Sequence, residues 1–84
     1  MAEGRRITMK FYGTMLCPDC VEADKLLKKK GIECEYISIT DSTANLKEFL
    51  RLRDMRAEFD EIKEAGNIGI PCFLMEDGSI SFEL

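Results

Sequence analysis

The chain has 84 residues, 45% hydrophobic and 33% charged, a composition typical of one small globular domain spanning residues 1–84. Its 12 basic and 16 acidic residues give a net charge of −4, which repels nucleic-acid phosphates and anionic membranes. Histidine is absent, which excludes Cys/His zinc sites and catalytic triads built on imidazole. No apolar segment follows "MAEGRR", and no apolar run is long enough to span a bilayer, so we expect a cytoplasmic protein.

The first predicted element is a strand over residues 6–13, "RITMKFYG". Its side chains alternate with a period of two, which is typical of a strand with one apolar face. The apolar set is Ile7, Met9 and Phe11, and the polar set is Thr8, Lys10 and Tyr12.

A helix is predicted over residues 18–30, where the spacing of apolar side chains changes to three and four. Cys20, Ala23 and Leu27 share one face of this helix. Pro18 suits its first position, and Gly31 stands where a helix C-cap glycine is expected.

Residues 33–39 are β-branched and alternating, which predicts a second strand. "TDSTAN" then offers several N-cap residues for a second helix. We place the apolar face of that helix at Leu46, Phe49, Leu50 and either Leu52 or Arg53. In "AEFDEIKEAG", a further helical turn or two directs Phe59 and Ile62 inward and ends at Gly66.

The final segment, "NIGIPCFLMEDGSISFEL", predicts a β-hairpin with its turn at Asp77 and Gly78. The element order is therefore β-α-β-α-β-β. A right-handed parallel unit followed by an antiparallel hairpin closes most simply as a mixed four-stranded sheet with helices on its faces. The fold class is α/β.

Two cysteines three residues apart, Cys17 and Cys20, lie between the first strand and the first helix. The pair is open to three interpretations: a metal clip, an inert pair or a reactive dithiol. With Cys17 as the N-cap, the free N–H groups and the positive end of the helix dipole favour its thiolate, and Cys20 lies one turn on at the same face. We therefore interpret Cys17 as a nucleophile and Cys20 as the thiol that resolves its mixed disulfides.

The sequence resembles the glutaredoxins, which have the thioredoxin fold, and particularly the small glutaredoxin-related proteins of bacteria. The resemblance rests on "FYGTMLCPDC", "GIPCF" and "MEDGSISFE". It implies that Pro71 is cis and lies beside the dithiol, and that the backbone of Ile70 pairs with an extended substrate. Pro18 and Asp19 complete the active-site motif, and the resemblance also assigns Thr14 to substrate binding.

Three departures from the family bear on glutathione. Thr14 stands where the family has a lysine, "ISFEL" stands where it has a Gly-Gly-Asp stretch, and Asp19 stands where tyrosine is common. The first two elements hold glutathione in the family. Arg5, Arg6, Arg51 and Arg53 are candidates for replacement charge, but we interpret them first as solvated surface arginines.

The two remaining cysteines carry weaker signals. Cys72 follows Pro71, so it is either a core residue or a third thiol near the dithiol that ligates metal or responds to redox state. Cys34 is interpreted as a packed small hydrophobe.

The family normally has a further C-terminal helix, which this sequence does not contain. We therefore expect one face of the sheet to be half open, or covered in a weak dimer. The polar side chains assigned to that face are Thr8, Lys10, Tyr12, Ser79, Ser81 and Glu83.

The resemblance implies a thiol-disulfide oxidoreductase that reduces protein disulfides or glutathione mixed disulfides. It implies no bound cofactor, with glutathione as a candidate co-substrate and glutathione or a flavoprotein reductase as the electron donor. The alternative is a carrier of metal or iron–sulfur clusters that uses Cys17 with a thiol of a partner.

Overall fold

The computed structural model describes residues 9–83, which form one mixed sheet with helices on both faces. Within these residues, four strands and three helices follow in chain order, with a short 3₁₀ turn at Ala57–Phe59. They are β1 (Lys10–Gly13), α1 (Pro18–Lys30), β2 (Glu35–Ser38), α2 (Thr43–Met55), α3 (Asp60–Glu64), β3 (Cys72–Leu74) and β4 (Ile80–Ser81). Ile7, Thr8, Arg5 and Arg6 lie outside the described residues.

The sheet has the strand order β2-β1-β3-β4, and it confirms the predicted α/β architecture. β1 runs parallel to β2 and antiparallel to β3, and β3 and β4 form the terminal hairpin. Between them, the amide of Met75 donates to the carbonyl of Ser79 at 2.8 Å, and Gly78 has a φ of +91°. The predicted turn at Asp77 and Gly78 is therefore correct.

Helix α1 has the predicted limits, because its first and last turns carry strong local signals. Cys17 is the N-cap, with extended dihedrals of φ −102° and ψ 120°, and Pro18 opens the helix. Gly31 caps the other end at φ +69°, a left-handed conformation that favours glycine. Cys20, Ala23 and Leu27 are buried against the sheet as expected.

β2 is shorter than the predicted strand because its partner is short. Pairing extends from Lys10 opposite Glu35 to Gly13 opposite Ser38. One further backbone hydrogen bond lies at each end of the ladder: the amide of Glu35 donates to the carbonyl of Met9, and the amide of Ile39 donates to the carbonyl of Gly13. The β-branched pattern alone could not indicate where β1 ends.

The apolar face predicted for α2 is wrong at two of its positions. Ser42 caps the helix by accepting a hydrogen bond from the amide of Asn45, and Phe49 is fully buried. Leu46 and Leu50, however, are 36% and 38% exposed. Glu48, beside Phe49, contacts the sheet through its carboxylate, which accepts a 2.7 Å hydrogen bond from the hydroxyl of Tyr12, while 40% of its side chain stays exposed.

The sheet separates two hydrophobic clusters. The α1-side cluster contains Met9, Phe11, Cys20, Ala23, Leu27 and Phe73. The α2-side cluster contains Tyr12, Ile37, Ile39, Phe49, Phe59 and Cys72, with Ile62 packed against it. Phe59 and Ile62 thus point inward, as predicted.

The expectation of a half-open face that includes Tyr12 is also wrong. Tyr12 is only 2% exposed, since its ring lies 5.8 Å from that of Phe49 and its hydroxyl binds Glu48. Lys10 forms a 3.3 Å ion pair with the same carboxylate. In the hairpin, Ser79 and Glu83 are exposed and Ser81 is half-buried.

We expect Phe49→Ala to lower the free energy of unfolding by about 3–5 kcal/mol, because it leaves a cavity between α2 and the sheet. Leu46→Ala, on the exposed side of the same helix, should cost less than about 1 kcal/mol. Urea titration followed by circular dichroism measures both. Phe49→Leu provides an intermediate variant, and equal losses for Phe49 and Leu46 would contradict the assigned inward face.

Candidate active site

The two cysteines of the motif are brought together at the start of α1. Cys17 is half-buried and Cys20 is fully buried, and both are free thiols in the structure. The amide of Cys17 donates to the carbonyl of Thr14 at 3.1 Å, which turns the chain from β1 into the helix. The nucleophile assigned from the sequence is therefore the more accessible of the two thiols.

Cys20 is held in its protonated form. Burial raises the pKa of its thiol to about 11, and the hydrogen bond with Cys17 and the charges of Cys17 and Asp19 act in the same direction. A backbone hydrogen bond from Thr14 opposes these effects.

Gly13 is a site residue that the sequence did not reveal. A Cβ atom at this position would lie 2.8 Å from Sγ of Cys20 and 2.9 Å from Cε1 of Phe11. The close approach of α1 to the end of β1 therefore requires a glycine. A glycine at the end of a strand is a weak signal in a sequence, because it also ends strands that bind nothing.

Thr14 lines the cleft beside Cys17, but its hydroxyl is used within the protein. It shares a 2.8 Å hydrogen bond with the hydroxyl of Thr40 and accepts one of 3.2 Å from the amide of Leu16. Thr40 in turn lies 3.2 Å from the hydroxyl of Ser38. These bonds join the loop before Cys17 to the end of β2, a link that sequence reasoning missed.

A cleft of about 1080 Å³ lies in front of Cys17. Ile70 and Pro71 line it, and the peptide bond between them is cis. Gly69, at φ +100°, packs so closely on Phe59 that a Cβ would lie 2.8 Å from Cε2 of that ring. The loop before β3 is thus placed opposite the dithiol by its contact with the α2-side cluster.

Arg53 fastens the same loop to α2. Its guanidinium donates to the carbonyls of Asn67 and Ile68, each at 2.8 Å. Arg51 lines a different cleft, with Lys10 and Glu48. Neither arginine lines the cleft in front of Cys17. The structure therefore does not support these two arginines as substitutes for the family's lysine, whose position Thr14 occupies.

The two other cysteines lie away from this cleft. Cys34 is half-buried and packs against the α1-side cluster, as its interpretation as a small hydrophobe predicted. Cys72 is fully buried in the α2-side cluster, and burial raises the pKa of its thiol to about 12. Cys72 is therefore a core residue, and the sheet separates its side chain from Cys17 and Cys20.

No group of three cysteine, aspartate or glutamate side chains suited to a metal ion occurs within residues 9–83. A cluster shared between Cys17 and a thiol of a partner needs no such group, so that alternative stays a prediction. None of the helices in the same range has the length and apolar character needed to cross a membrane.

Comparisons with known proteins show the family of this chain. The family model described as Glutaredoxin matches residues 7–73, which include both thiols and the loop of Pro71. This chain belongs to the glutaredoxin family. It is also 40% identical over 68 residues to an uncharacterized protein of Haemophilus influenzae, across 81% of this chain and 79% of that protein. No solved structure matches the chain.

In this glutaredoxin, Arg53→Ala should loosen the loop before Pro71, because it removes both bonds to the carbonyls of Asn67 and Ile68. The bonds are exposed, so we expect a loss of only about 1 kcal/mol in the free energy of unfolding. Amide hydrogen exchange at Ile68–Ile70 should accelerate severalfold. Arg51→Ala removes an equal charge from the same helix and should leave this exchange unchanged; equal acceleration in both variants would contradict the assigned role.

Proposed function

We propose that this protein is a thiol-disulfide oxidoreductase in which Cys17 is the nucleophile and Cys20 the resolving thiol. The observation that carries the proposal is the geometry of the pair: a half-buried, accessible thiol at the positive end of α1, with a fully buried thiol one turn behind it on the same helix. Membership of the glutaredoxin family supports the same chemistry at the coarser level.

The first step is attack of the Cys17 thiolate on one sulfur of a substrate disulfide. A Cys17–substrate disulfide forms, the substrate disulfide breaks, and the first substrate thiol leaves. Cys17 has no side-chain hydrogen bond as the N-cap, so the first free N–H groups of α1 and the helix dipole are available to stabilise its negative charge.

The second step is attack of Cys20 on the sulfur of Cys17, which releases the second substrate thiol. The two protein thiols supply two electrons and two protons, and the protein is left with a Cys17–Cys20 disulfide. Because Cys20 holds its proton more tightly than an ordinary thiol, it does not compete with Cys17 as the first nucleophile. Once Cys17 is in a mixed disulfide, its charge no longer raises the pKa of Cys20, which favours the second attack.

Substrate pairing is assigned to the loop opposite the dithiol. Ile70 lines the cleft in front of Cys17, which supports the proposal that its backbone pairs with an extended segment next to the substrate sulfur. The oxidised protein is then reduced by glutathione or by a flavoprotein reductase. The reducing cytoplasm is the compartment in which such a cycle runs.

Cys17→Ser should abolish turnover, because serine supplies no thiolate, whereas Cys20→Ser should stop the reaction at a stable mixed disulfide on Cys17. Disulfide reduction assays and intact-protein mass spectrometry measure these two outcomes. Cys34→Ala, which changes a thiol that packs outside the cleft, should retain a rate near wild type. Full dithiol-dependent activity in Cys17→Ser would refute the assignment.

We further propose that glutathione is a poor partner and that protein disulfides are preferred. Glutathione carries two carboxylates, and Thr14 provides no cation where the family has a lysine. Among the described residues that line the cleft, no side chain is a lysine or arginine. Each missing charge-assisted contact is worth about 1.5–3 kcal/mol, or roughly ten- to a hundredfold in affinity.

Glutathione-driven reduction of a small glutathionylated substrate should therefore be at least about tenfold slower than with a typical glutaredoxin that carries the lysine. Thr14→Lys supplies a cation at the position of the family lysine and should recover part of the rate. A wild-type rate comparable to that of the typical enzyme at physiological glutathione would show that backbone groups supply the missing contacts.

A further inference from the structure

The charged side chains that line the cleft in front of Cys17 all have the same sign. Asp19, Glu22 and Glu83 are the charged members of its described lining, and all three are exposed. Asp19 lies two residues from the nucleophile, inside the motif itself. Glu22 has a cation nearby, but its 3.7 Å pair with Lys25 joins two side chains that are 76% and 70% exposed and is weak.

Carboxylates around a concave apolar surface create a larger potential than the same charges on a flat one, because the low-dielectric walls focus the field. Here Ala23, Ile70 and Phe73 supply apolar walls. A positively charged group near the sulfur of an incoming disulfide is therefore attracted into the cleft, and a negatively charged one is repelled. The interaction acts at the reacting centre, since Asp19 and Cys17 line the same cavity.

Apolar side chains at the rim of the cleft favour a polypeptide over a small molecule. Leu16 is 82% exposed and Ile68 56% exposed, and both line the cleft beside the dithiol. Such large apolar side chains gain from contact with a chain that extends beyond its cysteine. The volume of about 1080 Å³ also exceeds what one cysteine fills.

We infer that this site selects polypeptide disulfides whose cysteine is flanked by lysine or arginine. The inference rests on the proposed function, because it concerns which disulfide reaches Cys17. The chemical steps are unchanged: two electrons pass from the Cys17–Cys20 dithiol to the substrate disulfide, and the two thiol protons pass to the two substrate thiols. The carboxylates affect how often a substrate reaches the cleft and how it is oriented there. They take no part in breaking or forming the disulfide bonds.

The test uses symmetric disulfides of three capped pentapeptides: Lys-Gly-Cys-Gly-Lys, Gln-Gly-Cys-Gly-Gln and Glu-Gly-Cys-Gly-Glu. Pre-reduced protein is mixed with each in excess, and oxidation of Cys17 and Cys20 is followed by acid quench, alkylation and mass spectrometry. Every rate is divided by the rate of the same peptide with dithiothreitol, which removes differences in intrinsic disulfide reactivity. No recycling reductant is needed, so the negative charge of glutathione does not affect the measured rates.

We expect the lysine peptide to react about tenfold faster than the glutamate peptide at ~10 mM ionic strength, with the glutamine peptide between them. At ~0.5 M salt the preference should fall to less than about threefold, because the charges are screened. The variant Asp19→Asn/Glu22→Gln/Glu83→Gln should lose most of the preference, measured as the ratio of the lysine-peptide rate to the glutamate-peptide rate.

The matched control is Glu33→Gln/Asp54→Asn/Glu76→Gln, which removes the same charge from exposed positions outside the cleft and should keep the preference. Equal loss of the preference for the lysine peptide in both variants would overturn the inference, because it would show that net charge alone sets the preference. Equal rates for the lysine and glutamate peptides with wild type would overturn it outright. Failure to oxidise Cys17 and Cys20 with any peptide would instead refute the proposed function.

Cystamine, the disulfide of a small amine, tests whether a polypeptide is needed. It carries positive charge beside the sulfur without a peptide chain, so after the same correction it should react severalfold more slowly than the lysine peptide. An equal rate would overturn the polypeptide part of the inference. Leu16→Ser should reduce the rate advantage of the lysine peptide over cystamine, because it removes a large apolar side chain from the rim of the cleft. An unchanged advantage would contradict a contact between Leu16 and the peptide.

Discussion

The fold is organised by the close approach of α1 to the end of β1. Sγ of Cys20 sits where a side chain at position 13 would otherwise project, and the ring of Phe11 fills the space beside it. Because the helix is held so near the strand, its N-terminus lies immediately after a short loop and carries Cys17 into the cleft. The same contact buries Cys20, so that one packing arrangement both attaches the helix and differentiates the two thiols.

Features governed by local chemistry could be predicted from the sequence. Proline at the first position and glycine after the last define α1 in any context, because each has a backbone preference that neighbours rarely override. The hairpin turn at Asp77 and Gly78 follows from the same kind of preference. The positions of Cys17 and Cys20 relative to the helix could therefore be inferred as well.

Features that depend on contacts between distant parts of the chain could not be predicted from the sequence. The polar hydroxyl of Tyr12 suggested an exposed side chain, yet Tyr12 is buried, because its hydroxyl donates to the carboxylate of Glu48 on α2. Thr14 and Thr40 are 26 residues apart, and Arg53 lies 14 residues from Asn67. Nothing in the local pattern of either partner indicates that such bonds form, since threonine and arginine are ordinary surface residues.

The alternation of side chains along β3 has a consequence for the fidelity of the proposed disulfide exchange. Consecutive side chains of a strand point to opposite faces, so Phe73 joins the cluster that holds Cys20 while Cys72 joins the other. A stray thiol next to a mixed disulfide would capture it and leave a dead-end product. The sheet opposes that capture, because Cys17 packs against the α1-side cluster and Cys72 is buried in the α2-side cluster.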